Sequence, residues 1–196
     1  CTVSLAEING VKAVFKRYNI KGFWHGLNRA FRQTRASTSW TNAHRLHILG
    51  VATSKPIALI EQRFGLLRGK AYFLTEYLDA PDTSTFFVQT NNKKAQAQAI
   101  QNIVEMFYRM YLLKLSHGDM KASNIKLLEG KPYLIDLDSM QQHRFSFYAQ
   151  KRHARDLKRF MQNWQDQPTL YNTFVKAFLA VYADPQVLRL AGLSVD

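Results

Sequence analysis

Apolar and polar residues alternate along residues 2–18, and the alternation breaks once, at Asn9-Gly10. A period of two predicts strands. Asn-Gly between two such runs predicts a tight hairpin, because both turn residues tolerate positive φ. From residue 37 to 49 the period becomes helical, with Trp40, Ala43, Leu46 and Leu49 on one stripe. Ile57–Gln62 and Ala71–Tyr77 return to strand patterning and predict a second hairpin, turning near Arg68-Gly69.

A turn-prone run, Asp79-Ala80-Pro81-Asp82, ends this strand-rich part and predicts a boundary between residues 1–79 and 80–196. The second part opens with a long helix over roughly 93–115, where Ile100, Val104, Phe107 and Tyr111 follow the 3.6 period and Ile103 and Met110 widen the stripe. A short hairpin over 125–136 turns at Glu129-Gly130. Helices near 149–164 (Ala154, Leu157, Met161, Trp164) and 168–182 (Leu170, Phe174, Phe178, Val181) follow. These Met and aromatic stripes read as core. The fold class expected is α+β, a small antiparallel β lobe with one helix followed by a mainly helical lobe.

Composition narrows the field. The apolar fraction of 46% excludes disorder. No apolar run reaches the roughly 18–20 residues that cross a bilayer; the longest candidate, Phe174–Ala183, contains Lys176. No secretory signal is visible, and the single Cys1 allows neither an internal disulfide nor a cysteine metal cluster. The chain begins without Met and in strand-like sequence, so an upstream segment is expected.

Net charge is +13, which predicts an anionic partner. Its distribution says more. No Asp or Glu falls between Glu7 and Glu61, while Lys12, Lys16, Arg17, Lys21, Arg29, Arg32, Arg35, Arg45 and Lys55 do. A second cluster is Arg144, Lys151, Arg152, Arg155, Lys158 and Arg159. A solvated face would interleave both signs. No helix-turn-helix, zinc or RNA-recognition motif supports nucleic acid as the partner.

The candidate chemistry lies in His117-Gly118-Asp119-Met120-Lys121-Ala122-Ser123-Asn124 and Leu134-Ile135-Asp136-Leu137-Asp138. Phosphoryl transfer needs a carboxylate beside the attacking hydroxyl, a cation near the moving phosphate and oxygen ligands for Mg²⁺. The Asp119-to-Asn124 spacing equals that of the protein kinase H-R-D-x-x-x-x-N motif, and Asp136 follows where the metal Asp should stand. A polar turn would explain the polarity of this segment but not its spacing. Val14-Phe15-Lys16, on the second strand, resembles the kinase V-A-I-K strand whose Lys contacts nucleotide phosphates.

The chain resembles the bacterial lipopolysaccharide core kinases, the group with heptose and Kdo kinases. The resemblance rests on Phe15-Lys16-Arg17-Tyr18-Asn19, Trp40-x-Asn42-Ala43, the H-G-D-x-K-x-x-N and L-I-D-L-D motifs, and Arg155-Asp156-Leu157-x-Arg159-Phe160. It spans about residues 3 to 165. It implies a protein-kinase-like, two-lobed fold, ATP and Mg²⁺, and transfer of the γ-phosphate to a sugar hydroxyl. Asp119 would be the base or hydroxyl-orienting group, and Lys121 would stabilise the moving phosphoryl. Lys16, Glu76, Asn124 and Asp136 would serve the nucleotide, and Asn124, Asp136 and Asp138 the metal. Asp156 would anchor the catalytic loop and His117 would brace it. The partners implied are an anionic glycolipid acceptor and the acidic inner-membrane surface. The location implied is cytoplasmic and peripheral, with Lys21, Phe23, Trp24, His25 and Arg29 at the interface or packed in the lobe.

Three features depart from the protein kinase pattern. No Gly-rich phosphate loop is visible, which an upstream segment would supply. Gly118 replaces the usual Arg, so control by activation-loop phosphorylation is not expected. The helix after Lys16 holds no acid, and Asn42 stands at the usual Glu position; Asn accepts a hydrogen bond but adds no counter-charge. Lys16 is therefore expected to pair with Asp136. The alternatives are a small-molecule kinase of the aminoglycoside or choline type, and a pseudokinase that binds anionic glycan or membrane.

Overall fold

The computed structural model describes residues 2–8, 10–18, 33–64 and 67–193. Asn9 and the aromatic-basic stretch from Lys21 to Arg32 lie outside them. The chain divides into two compact units. One comprises Cys1–Leu78 together with Asp136–Ser139, the other Asp79–Ile135 and Met140–Asp196. A single cut at residue 79 therefore leaves out one exchange, since the short segment carrying Asp136 and Asp138 packs with the first unit.

The first unit is a four-stranded antiparallel sheet in the order β1-β2-β4-β3, with β1 Thr2–Ile8, β2 Val11–Tyr18, β3 Pro56–Phe64 and β4 Leu67–Glu76. The expected turn at Arg68-Gly69 is not where β3 and β4 reverse. Gly69 lies inside β4, and the connection falls after Phe64 and before Leu67. The pairing slips between Glu61 and Arg63, and a Cβ on Gly69 would come within 3.1 Å of the Gln62 carbonyl oxygen. Gly69 is thus a strand glycine that admits a bulge, not a turn glycine.

One helix among the described residues, α1 (Arg35–Leu49), belongs to this unit. Thr34 caps it by accepting from the Ser37 N–H, and Gly50, at φ 67°, ends it with N–H bonds to His47 and Leu46 carbonyls. Its buried face is Ala36, Ser39, Asn42, Ala43 and Leu46, rotated from the expected stripe; Trp40 and Leu49 sit at its edges. Hydrophobic periodicity misses this because two of the buried residues are polar. Ser39 bonds the Tyr18 hydroxyl at 3.1 Å and Asn42 donates to the Leu137 carbonyl at 2.9 Å, so both are satisfied where they lie.

The second unit is mainly helical: α2 Thr83–Gln89, α3 Lys93–Leu112, α4 Ser146–Met161, α5 Pro168–Val181 and α6 Pro185–Ala191. The expected helices from 93, near 149 and from 168 are all present. α3 stops at Leu112 rather than 115, because Lys114 takes a left-handed backbone (φ 55°) and Leu115 enters the short strand β5 (Leu115–Ser116), which pairs with β8 (Gln141–Gln142). The hairpin β6 (Ile125–Leu128) and β7 (Lys131–Leu134) turns at Glu129-Gly130, both at positive φ, as a tight primed turn demands. The core is aromatic. Phe107, Phe160, Trp164, Phe174 and Phe178 are fully buried, with neighbouring ring centroids 5.1–5.7 Å apart across Phe107–Phe160, Phe160–Phe174, Trp164–Phe174 and Phe160–Trp164. Each such ring contributes roughly 1.5–3 kcal/mol by burial. This core fixes α4, and α4 carries the residues that shape the site.

Candidate active site

The loop from His117 to Asn124 lies between β5 and β6 and is held from below by α4. Asp156 accepts the His117 N–H on Oδ2 at 2.6 Å and the Gly118 N–H on Oδ1 at 3.0 Å. Both bonds go to backbone, so they set the path of the chain rather than one rotamer. Burial raises the Asp156 pKa, and the two N–H bonds together with the nearby His117 oppose that rise. The imidazole of His117 donates from Nε2 to the Ile135 carbonyl at 2.9 Å. Gly118 sits at φ 84°, where only glycine turns the chain without strain.

Asp119 stands half-exposed on this loop. Its Oδ2 lies 2.8 Å from Lys121 Nζ and its Oδ1 3.5 Å from Arg159 Nη2. Asn124 closes the loop by donating from Nδ2 to the Asp119 carbonyl at 2.8 Å. That bond turns its Oδ1, an acceptor, the other way. Asp119, Lys121 and Asn124 thus meet in one place, as the spacing predicts. Arg159 joins them, although the sequence marked it only as a member of a basic cluster and of the Arg155–Phe160 motif, with no role at the site. Its signal was position: it follows Asp156 by three residues, and residues three apart share a helix face.

The other half of the predicted set belongs to the first unit. Asp136 has a left-handed backbone (φ 63°), which turns the chain out of β7 into the 3-10 turn Leu137–Ser139. Its Oδ1 pairs with Lys16 Nζ at 3.0 Å, the partnership expected from the acid-free helix. Asn42 supplies no charge. It donates to the Leu137 carbonyl and accepts from Arg45 Nη1 at 2.7 Å. Asp138 is turned into the unit, 4% exposed, against Arg35 Nη2 at 2.5 Å, with the Ser139 hydroxyl at 3.1 Å. Arg35 also lies over the Tyr18 ring at 5.5 Å, and burial pushes the Tyr18 phenol up to about 12. Glu76 is exposed at the end of β4, its N–H bonded to the Lys55 carbonyl.

No helix among the described residues is long and apolar enough to cross a membrane. The profile of the Lipopolysaccharide kinase (Kdo/WaaP) family matches residues 2–182. The 3-deoxy-D-manno-octulosonic acid kinase of Actinobacillus succinogenes is 26% identical over 166 residues, covering 80% of this chain and 68% of its own. Among solved structures, WaaP in complex with acyl carrier protein superposes with a TM-score of 0.68 at 19% identity, over 97% of this chain and 79% of that one. That likeness establishes the kinase-like α+β fold expected from the motifs. The chain belongs to the lipopolysaccharide kinase (Kdo/WaaP) family, and it is a phosphotransferase acting on a sugar hydroxyl of lipopolysaccharide core.

Proposed function

We propose that this kinase transfers the γ-phosphate of ATP to a hydroxyl of 3-deoxy-D-manno-octulosonic acid in the lipopolysaccharide core. The observation that carries this reading is the Asp119–Lys121 pair at 2.8 Å on a loop whose N–H groups are tied to Asp156. Asp119 orients the acceptor hydroxyl and takes its proton as the oxygen bonds to the γ-phosphorus and the bond to the β-phosphate breaks. Lys121 faces the same carboxylate and neutralises charge on the passing phosphoryl. Arg159, 3.5 Å from Asp119, gives the site a second cation. Two cations beside the base suit an acceptor sugar that itself carries a carboxylate, which favours the octulosonic acid over a neutral heptose.

Lys16 serves the nucleotide phosphates in this reading, with Asp136 as its counter-charge. Glu76, exposed at the end of β4, serves the nucleotide in the same reading. Asn124 keeps an oxygen turned away from the Asp119 carbonyl and Asp136 is a part-exposed carboxylate, each an oxygen of the kind that Mg²⁺ takes. Mg²⁺ asks for only one or two protein oxygens of this kind beside phosphate. When bound it would neutralise charge on the β- and γ-phosphates. Asp138 is instead occupied by Arg35, so its role is to hold the turn that presents Asp136. The protein works as a peripheral enzyme at the cytoplasmic face of the inner membrane, where a charge of +13 favours acidic lipid.

Labelled phosphate transfer from ATP to lipopolysaccharide precursors tests the reading. Asp119→Asn should lower the rate by about 10²–10⁴-fold with folding intact, and Asp136→Ala should remove the Mg²⁺-dependent thermal shift with ATP. Transfer to a heptose-extended acceptor but not to the octulosonic acid core would reassign the sugar. Transfer only to choline or an aminoglycoside would overturn the acceptor class.

A further inference from the structure

At the start of α4, Phe145, Phe147 and Tyr148 are 64%, 70% and 60% exposed. No other aromatic stands among the large exposed hydrophobic side chains of the described residues. These rings do nothing visible for the fold. Phe145 occupies the N-cap position without capping the helix, and Phe147 and Tyr148 touch each other edge to face at 5.9 Å. The guanidinium of Arg144 lies over the Phe145 ring at 5.8 Å.

Helical spacing continues the patch as a cationic stripe. Lys151 follows Phe147 by four residues, and Arg152 and Arg155 follow Tyr148 by four and seven, so they share its side of the helix. All three are exposed and none makes an ion pair with a described residue. The chain carries no Asp or Glu from Ser139 to Arg155. The same side ends at Arg159, eleven residues and about 16 Å along the axis from Tyr148, and Arg159 touches Asp119.

We propose that this face of α4 is the surface on which the enzyme docks to an anionic bilayer. The three rings enter the boundary between headgroups and acyl chains. Arg144, Lys151, Arg152 and Arg155 lie on the headgroup phosphates. Exposed aromatics bordered by exposed cations that form no ion pair among the described residues fit this partner and no neutral one, since rings gain by leaving water and cations by meeting phosphate. The stripe then leads from the lipid to the base: an acceptor anchored by its acyl chains presents its sugar to Asp119 by lying along α4. This placement rests on the reading of Asp119 as the catalytic base, whereas the docking does not.

The full chain, Phe147→Ser/Tyr148→Ser and Lys151→Gln/Arg152→Gln would be compared by co-sedimentation with phosphatidylglycerol and with phosphatidylcholine vesicles. The wild type should bind the anionic vesicles only. Loss of two cations should weaken that binding roughly 30-fold, at about fivefold per charge, and loss of the two rings by tenfold or more. If the ring variant does not fold, the charge variant alone decides. Both variants should lose kcat/KM on a vesicle-embedded acceptor and keep it on the deacylated, soluble form. Wild-type vesicle binding by the variants would overturn the docking surface, as would capture by an acidic protein without any vesicle binding. Absence of transfer to either acceptor, with vesicle binding lost as expected, would leave the docking standing and overturn the catalytic reading instead.

Discussion

The two halves of the proposed catalytic set are held by different forces. The loop that carries Asp119 is held by buried and part-buried bonds with at least one uncharged partner, Asp156 on two backbone N–H groups, His117 on a backbone carbonyl and Asn124 on the Asp119 carbonyl, and only the Asp119 carboxylate itself meets cations, Lys121 and Arg159, at the surface. Around Asp136 one buried bond, from Asn42 to the Leu137 carbonyl, is joined by ion pairs whose cations reach solvent, Lys16 on Asp136 and Arg35 on Asp138. Under the mechanism proposed above, the difference suits the tasks. A base must keep its angle to the acceptor hydroxyl, and a backbone path braced in the core allows little drift. A residue serving nucleotide and metal must accept new charge and release old, and a part-exposed pair can exchange partners at small cost. The contrast has consequences that differ in kind. The first set should be sensitive to acid and to deletion of buried atoms, the second to salt.

The largest effect should come from Asp156→Ala. It strips the acceptor from the buried His117 N–H and the part-buried Gly118 N–H, a buried N–H costing about 1–3 kcal/mol when left bare and a part-buried one less, so the unfolding free energy should fall by about 2–4 kcal/mol in urea titration. Asp156→Asn keeps one acceptor oxygen and should recover about half of that loss. A loss under about 1 kcal/mol for Asp156→Ala would show that the loop is not held from α4, and the contrast would collapse.

Acid should come next. His153, one turn before Asp156 on α4, is wholly buried with its Nε2 2.8 Å from the Tyr182 hydroxyl, and burial pushes its pKa down to about 3. Below the ordinary value of about 6.5 the unfolded chain binds a proton that the folded chain refuses. Its contribution is therefore intact above pH 6.5 and is lost as pH falls through the window from 6.5 to about 3. The slope approaches about 1.4 kcal/mol per pH unit, or roughly 2 kcal/mol at pH 5. Urea midpoints across pH 4–7 would show it, and His153→Gln should flatten that dependence. An unchanged slope in the variant would place the acid sensitivity elsewhere.

Much of this was legible from the chain. Asp119, Lys121 and Asn124 follow from spacing alone, because a loop that short cannot scatter them. Asp136 follows from its register after β7, and the pairing with Lys16 follows from the lack of any acid in α1. What stayed hidden has physical reasons. α2 and α6 have seven residues each, two turns that show no 3.6 period, although the caps Asp82 and Asp184 and the N1 proline of α6 were readable signs. The turn from Asp136 to Ser139 joins the first unit through contacts distant in sequence, which no local pattern carries. Arg159 was hidden among other cations, since charge pattern marks a basic face but not which member of it meets a carboxylate.

The smallest effect should sharpen the contrast most, because the Arg35–Asp138 pair lies between the two regimes: Asp138 is 4% exposed and Arg35 56%. If the exposed end governs, the pair behaves as a surface bridge, and Arg35→Gln should cost about 1 kcal/mol, including the guanidinium's seat over the Tyr18 ring. A double-mutant cycle with Asp138→Asn should then give a coupling of about 0.5–1 kcal/mol that shrinks as salt is raised from 0.05 to 1 M, where the screening length falls to about 3 Å. If the buried end governs, removing Arg35 leaves an uncompensated carboxylate, the cost rises to about 3–5 kcal/mol and salt changes it little. The salt series separates these outcomes even where the single-mutant costs overlap. A salt-independent coupling would mean that the Asp136–Ser139 turn is braced as firmly as the Asp119 loop, with only Lys16 left as the adjustable support on that side of the reaction.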